Sequence, residues 1–155
     1  MLPTDNPIAR LNAILHRRTH MYFNRQLKPY GLSHMHFRML SYVGRHDGLK
    51  QEDIRTFIDA DKGGVAHAIK RLVEKGYIER DRDPSDGRAY VIRLTDEGQT
   101  FLAEFRTIAD AWGEQMTAGF NDDDIAQAKS LLQRMADNSC ALLHDECEDT
   151  RPCHK

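Results

Sequence analysis

Residues 72–98, LVEKGYIERDRDPSDGRAYVIRLTDEG, hold in one run a helix end, two strands, the turn between them and the start of the next helix. Leu72 and Val73 close an apolar helical face, and Gly76 stands where a helix C-terminus turns left-handed. Residues 77–80 and 90–94 are rich in β-branched and aromatic side chains, which suit a pleated, half-buried surface. Between them Asp83-Pro84-Ser85-Asp86-Gly87 is turn chemistry, with proline presetting φ, glycine tolerating positive φ and aspartates bonding their own backbone. The stretch therefore predicts a β-hairpin with a charged tip, followed by a helix capped by Thr95.

Upstream, Val65, Ile69, Leu72 and Val73 mark the apolar face of a helix over 62–75 that Asp61 caps, and the opposite face carries Gly63, His67, Lys70, Arg71 and Glu74. Ile54, Phe57 and Ile58 mark a helix over 50–58, and Asp59-Ala60-Asp61 is the short polar break between the two. Helix, tight turn, helix and hairpin thus follow one another. Nearer the start, Asn6-Pro7 is an N-cap with proline at the first helical position, and Ile8, Leu11, Leu15 and Tyr22 keep helical spacing up to Pro29. Gly31 breaks the chain and Ser33 caps a shorter helix with Phe37, Leu40 and Val43 inward, ending at the His46-Asp47-Gly48 turn signal. Downstream, Phe101, Phe105, Ile108, Trp112 and Met116 mark a long helix ended by residues 119–121. Asn121 or Asp122 starts another, in which Ile125, Ala128, Leu132, Met135 and Leu142 approximate the three-four repeat of helix pairing.

The expected fold is mainly α with a small β-hairpin: a winged helix-turn-helix flanked by long N- and C-terminal dimerisation helices. Residues 1–30 form the N-terminal dimerisation helix, 31–95 the winged region and 96–147 the C-terminal dimerisation helices, and 148–155 a disordered tail. At 155 residues, 40% hydrophobic and 30% charged, the chain has material for one core and no room for a second full domain. A net charge of -2 confines any nucleic-acid surface to a local patch. Lys70, Arg71, Lys75, Arg80, Arg82 and Arg88 cluster mid-chain, whereas the acidic residues concentrate late. No apolar run reaches membrane-spanning length and MLPTDNPIAR lacks a signal-peptide core, so a cytoplasmic protein without membrane attachment is expected. Cys140, Cys147 and Cys153 all fall near the end, which excludes a domain-wide disulfide framework and makes reduced thiols the default.

The segments GLSHMHFRMLSYV, DKGGVAHAIKRLVEKGYIERDRDPSDGRA and VIRLTDEG, within residues 31–102, resemble the characteristic segments of the MarR family of bacterial regulators, and the flanking helices match that family's layout. The resemblance implies a homodimer that binds double-stranded DNA at a pseudo-palindromic operator, acts as a repressor and answers to a small-molecule effector. It also implies that the wing's Asp86 and Arg88 act as a pair, the arginine entering the minor groove and the carboxylate orienting it, since narrow A·T-rich grooves attract guanidinium. The chain departs from the family at Lys62, Gly63, Gly64, Ala66 and His67, where relatives often carry small hydroxyl residues and an arginine. Two glycines cost a helix about 2 kcal/mol relative to alanine, a choice explained either by close backbone approach to DNA or by a frayed helix start. His67 can meet a base edge without the five-donor fork of arginine. Lys70, Arg71 and Arg82 suit phosphate contacts, which position without reading sequence.

Candidates for sensing are of three kinds. His16 and His20 share a helix face, and with Arg17, His34 and His36 they suit a pocket for a small aromatic or anionic effector, or a metal. Cys140, His144 and Cys147 at i, i+4 and i+7 form a stripe able to hold zinc or copper(I). Redox sensing is the third, although the acidic residues beside Cys147 raise its pKa and slow oxidation. No nucleophile-base pair, HExxH or phosphate-binding glycine loop is present, so an enzyme is not expected and no cofactor is required. The competing reading is a metal- or thiol-responsive regulator, or a ligand- or metal-binding protein without a DNA function.

Overall fold

The computed structural model describes residues 6–46, 48–58, 61–83 and 90–143. In chain order these form α1 (Pro7–Leu27), a 3-10 turn (Lys28–Tyr30), α2 (His34–Val43), α3 (Gln51–Ile58), α4 (Lys62–Glu74), β1 (Ile78–Arg82), β2 (Tyr90–Leu94), α5 (Asp96–Met116) and α6 (Asp122–Leu143). The mainly α chain with a small hairpin expected from the sequence is the fold observed. β1 and β2 pair antiparallel, from Ile78 opposite Leu94 to Arg82 opposite Tyr90. An isolated bridge adds Leu49 to the far side of Ile92, with bonds of 3.0 and 2.8 Å in the two directions.

The helices begin where local chemistry satisfies their orphan amides. Asn6 Oδ1 accepts from Ile8 and Ala9, Asp61 Oδ1 from Gly64 at 2.9 Å and Thr95 Oγ1 from Gly98 at 3.0 Å. Asn121 and Asp124 cap α6 reciprocally. At the other end of α4, Gly76 takes φ +74, and the amides of Gly76 and Tyr77 donate to Val73 and Leu72, which closes the helix and turns the chain into β1.

The described residues fall into two compact units that part between Ala109 and Asp110. In the first, Leu27, Met39, Leu40, Val43, Ile54, Val65, Ala68, Ile69, Leu72, Ile78, Ile92 and Phe105 are almost wholly buried. The Phe105 ring contacts Phe23, Phe37 and Phe101 at centroid separations of 5.9, 4.7 and 5.7 Å, tying α1, α2 and α5 into one apolar cluster. Val73, expected on the inward face of α4, is 39% exposed, and Ala68 lies buried there instead. Asp83, expected in an open turn, is buried with Lys50 Nζ 3.7 Å from its carboxylate, so the first turn residue is anchored at the start of α3. The rest of that turn, with Asp86 and Arg88, lies outside the described residues.

In the second unit, α6 leaves Leu131, Leu132, Met135 and Leu142 exposed, and α1 of the first unit does the same with Ile8, Leu11, Leu15 and Met21. Among the described residues no helix is long and apolar enough to cross a membrane.

Candidate nucleic-acid interface

α4 buries Val65, Ala68, Ile69 and Leu72, and its period leaves Gly63, Ala66, His67, Lys70 and Glu74 on the outer face, where the first four are a row of small or donor-bearing residues. Lys62 is the first helical residue. Gly63 and Gly64 sit over the cap, where an added Cβ would come within 3.1 and 3.0 Å of the Asp61 carboxylate. The glycine pair therefore leaves room for the capping aspartate, a role the sequence pattern does not reveal, and also keeps the helix start free of side-chain bulk. Lys70 is well exposed, with Glu74 at 4.0 Å.

Arg71 is placed differently from Lys70. Its Nη2 lies where a Cβ on Gly31 would come within 2.8 Å, and its Nη1 is 3.8 Å from Glu74, so it lies along the edge of α4 toward α2. Its charge, after burial, lowers the pKa of His36. In the hairpin, Arg80 and Arg82 share a strand face and lie over the Tyr90 ring at 5.0 and 5.7 Å, a cross-strand cation-π stack. Arg80 and Tyr90 are additions to the site expected from the sequence. The two-residue alternation of the strand puts Arg80 with Arg82, but Tyr90 joins them only through the register.

Of the histidines grouped from the sequence, three come together and one does not. His16 and His20 stack at 6.3 Å, His20 meets His34 edge-on at 5.3 Å, and Phe23 stacks on His34 at 5.0 Å. Asn24 joins the helices: its Oδ1 accepts from the His34 amide at 2.8 Å, which orients the side-chain amide so that Nδ2 donates to His20 Nδ1 at 2.9 Å. Arg17 is exposed on the same helix. His36 lies apart because residues i and i+2 of a helix are about 200° apart around the axis, and its Nδ1 instead accepts from the Ser33 amide and bonds Ser33 Oγ in the cap of α2.

Burial, then the positive neighbours His20, Arg38 and His16, hold the His34 pKa down from 6.5 to about 4. The unfolded chain therefore takes up a proton below pH 6.5 that the native protein refuses until about pH 4. The His34 contribution to stability is full above that window and is lost as pH falls through it. Wild type should lose about 1–2 kcal/mol more than His34→Gln between the two limits, after allowance for solvent at this half-buried ring. Urea melts of both proteins across that pH range measure it, and parallel curves would contradict it.

Among the described residues no group of three or more His, Cys, Asp or Glu could hold a metal. Cys140 lies in α6 and is disulfide-bonded, where the sequence led us to expect reduced thiols. His144 and Cys147 lie outside the described residues.

The capped pair α3–α4, the strand bridge to Leu49 and the hairpin define a winged helix-turn-helix. The sequence pattern of the MarR family matches residues 30–89. The transcriptional regulator BilQ of Clostridioides difficile (strain CD3) is 29% identical over 122 residues, 79% of this chain and 82% of BilQ. A MarR transcriptional regulator from Methanosarcina mazei Go1 has a crystal structure that superposes with TM-score 0.79 at 32% identity, covering 87% of this chain and 97% of that one. The fold is also that of S. aureus MepR in a DNA complex, with TM-score 0.70 at 22% identity over 84% of this chain and 96% of MepR. The chain belongs to the MarR family of transcriptional regulators and is a regulator, not an enzyme.

Proposed function

We propose that the chain binds duplex DNA as a homodimer, at a pseudo-palindromic operator, and represses transcription by occupying it. The observation that carries this reading is the outer face of α4, Gly63, Ala66, His67 and Lys70, presented with a hairpin whose Arg80 and Arg82 are exposed. A helix of that width fits the major groove and a basic hairpin reaches the adjacent backbone or minor groove. MepR, which shares the fold, was solved with DNA.

A second copy is the partner we assign to the apolar faces of α1 and α6. Leu11 and Leu15 are 52% and 45% exposed and Leu132 is 55% exposed, and two-fold pairing would cover such faces while setting two reading heads on one operator. The histidine group His16, His20 and His34, with Arg17, is our proposed site for a small aromatic or anionic effector.

A salt-titrated gel shift on promoter fragments tests the DNA reading: binding should weaken steeply as salt rises. No shift at low salt on any fragment would refute it. Arg88→Ala should reduce operator affinity by about 1–3 kcal/mol while sedimentation still gives a dimer, and an unchanged affinity would remove Arg88 from the interface.

A further inference from the structure

We infer that Tyr90 is a positioning residue for the DNA contact: its ring holds the Arg80 and Arg82 guanidiniums ready for phosphates, and this face of the hairpin is the one turned to DNA, an assignment that rests on the DNA reading above. Arg82 stands directly opposite Tyr90 in the ladder, and Arg80, two residues back along β1, shares its strand face. Their guanidinium carbons lie 5.7 and 5.0 Å from the ring centroid. One ring therefore serves both cations.

The hairpin separates its charges by face. β1 reads Ile-Glu-Arg-Asp-Arg, and the alternation of a strand puts Glu79 and Asp81 on the face opposite Arg80 and Arg82. On that opposite face Arg93, the register partner of Glu79, brings Nη1 to 3.7 Å from the Asp81 carboxylate. The acidic side chains of the strand are thus grouped with a cation of their own, and the basic ones with an aromatic ring. Arg80 and Arg82 are exposed, and Tyr90 is 43% exposed, so the basic face is open to a partner.

A ring attracts a guanidinium through its π face and takes up none of its five N–H donors. An arginine held in this way keeps its hydrogen-bonding edge for a phosphate, while part of its rotamer freedom is already spent. Ordering a long side chain during binding costs affinity, and ordering it beforehand removes that cost. A carboxylate would hold the arginines as well, but it would also cancel the charge that attracts phosphate. A tyrosine ring orders them and leaves the charge in place.

Fluorescence anisotropy of the full chain with a random-sequence duplex, across a potassium chloride series, is the test, since phosphate contacts need no operator. Tyr90→Val should weaken binding about fivefold, and Tyr90→Phe, which keeps the ring, should bind as wild type does. Arg80→Gln with Arg82→Gln should lower the salt slope by about 2, and in that background Tyr90→Val should have no further effect. In NMR spectra of the free protein the side-chain protons of Arg80 and Arg82 should be shifted upfield by the ring and lose that shift in Tyr90→Val. Thermal melts confirm that each variant is folded. Wild type that binds no duplex even at low salt would refute the DNA reading and take the inference with it. With wild type binding, the inference alone is overturned by unchanged affinity in Tyr90→Val, loss in Tyr90→Phe, an unreduced salt slope without the two arginines, an equal effect of Tyr90→Val with and without them, or arginine protons that the ring does not shift.

Discussion

Replacing Lys70 and Arg82 together by glutamate lowers affinity for operator DNA by at least about a hundredfold at 0.1 M salt and reduces the slope of log affinity against log salt by about 2. The two side chains come from the two elements assigned to DNA, α4 and β1, and each removed phosphate contact takes one released counterion with it. Reversal adds repulsion to the loss. The fold should tolerate both changes. Lys70 has three-quarters of its side chain exposed, and Arg82 is exposed at the strand end over Tyr90, where substitutions cost about 0.5 kcal/mol or less. Fluorescence anisotropy across a potassium chloride series measures both quantities, with the thermal midpoint as the control for folding. Wild-type affinity, or a loss with an unchanged salt slope, would show that these side chains do not meet phosphates.

The largest stability effect belongs to Gly98→Ala, which should lower stability by about 2–3 kcal/mol and the thermal midpoint by about 5–10 °C. Gly98 is buried in the first turn of α5, and an added Cβ would sit 2.0 Å from the carbonyl oxygen of Tyr77. Backbone cannot swing aside as a side chain can. The Thr95 amide donates to that same oxygen at 3.2 Å, so relieving the clash would also disturb the junction of β2 and α5. Alanine ordinarily stabilises a helix relative to glycine by about 1 kcal/mol, so the sign of the effect separates close packing from propensity. A midpoint at or above wild type would show that the contact relaxes freely.

The elements are legible in the sequence because their boundaries are chemical. Asn6, Asp61, Thr95 and Asn121 accept amide hydrogen bonds where the sequence places caps, and Gly76 takes the left-handed turn its position implies. Features that depend on distant contacts are not legible. Nothing local shows that Gly98 meets Tyr77, that Asp83 is buried beside Lys50, or that Leu49 bridges to Ile92. Val73 reads as inward because helical spacing fixes a face only to within a residue or so, and Ala68 is too small to draw attention as core. His34 and His36 look like partners in sequence, yet one joins α1 through Asn24 while the other is spent on the cap of α2. At the site, the residue types are legible and the orientations are not: Lys70 and Arg71 are adjacent, but only Lys70 stands on the outer face.

Selection of bound duplexes from a random pool tests the dimeric DNA reader most directly, because it presupposes no operator sequence. If two copies of α4 and its hairpin read DNA about a two-fold axis, the recovered sequences should converge on an inverted repeat with half-site centres about 10–11 base pairs, or a multiple, apart. The same pool selected with Lys70→Glu, Arg82→Glu protein should show no enrichment. Convergence on a single unpaired site, or no enrichment over the starting pool with wild-type protein, would contradict a dimeric reader of duplex DNA.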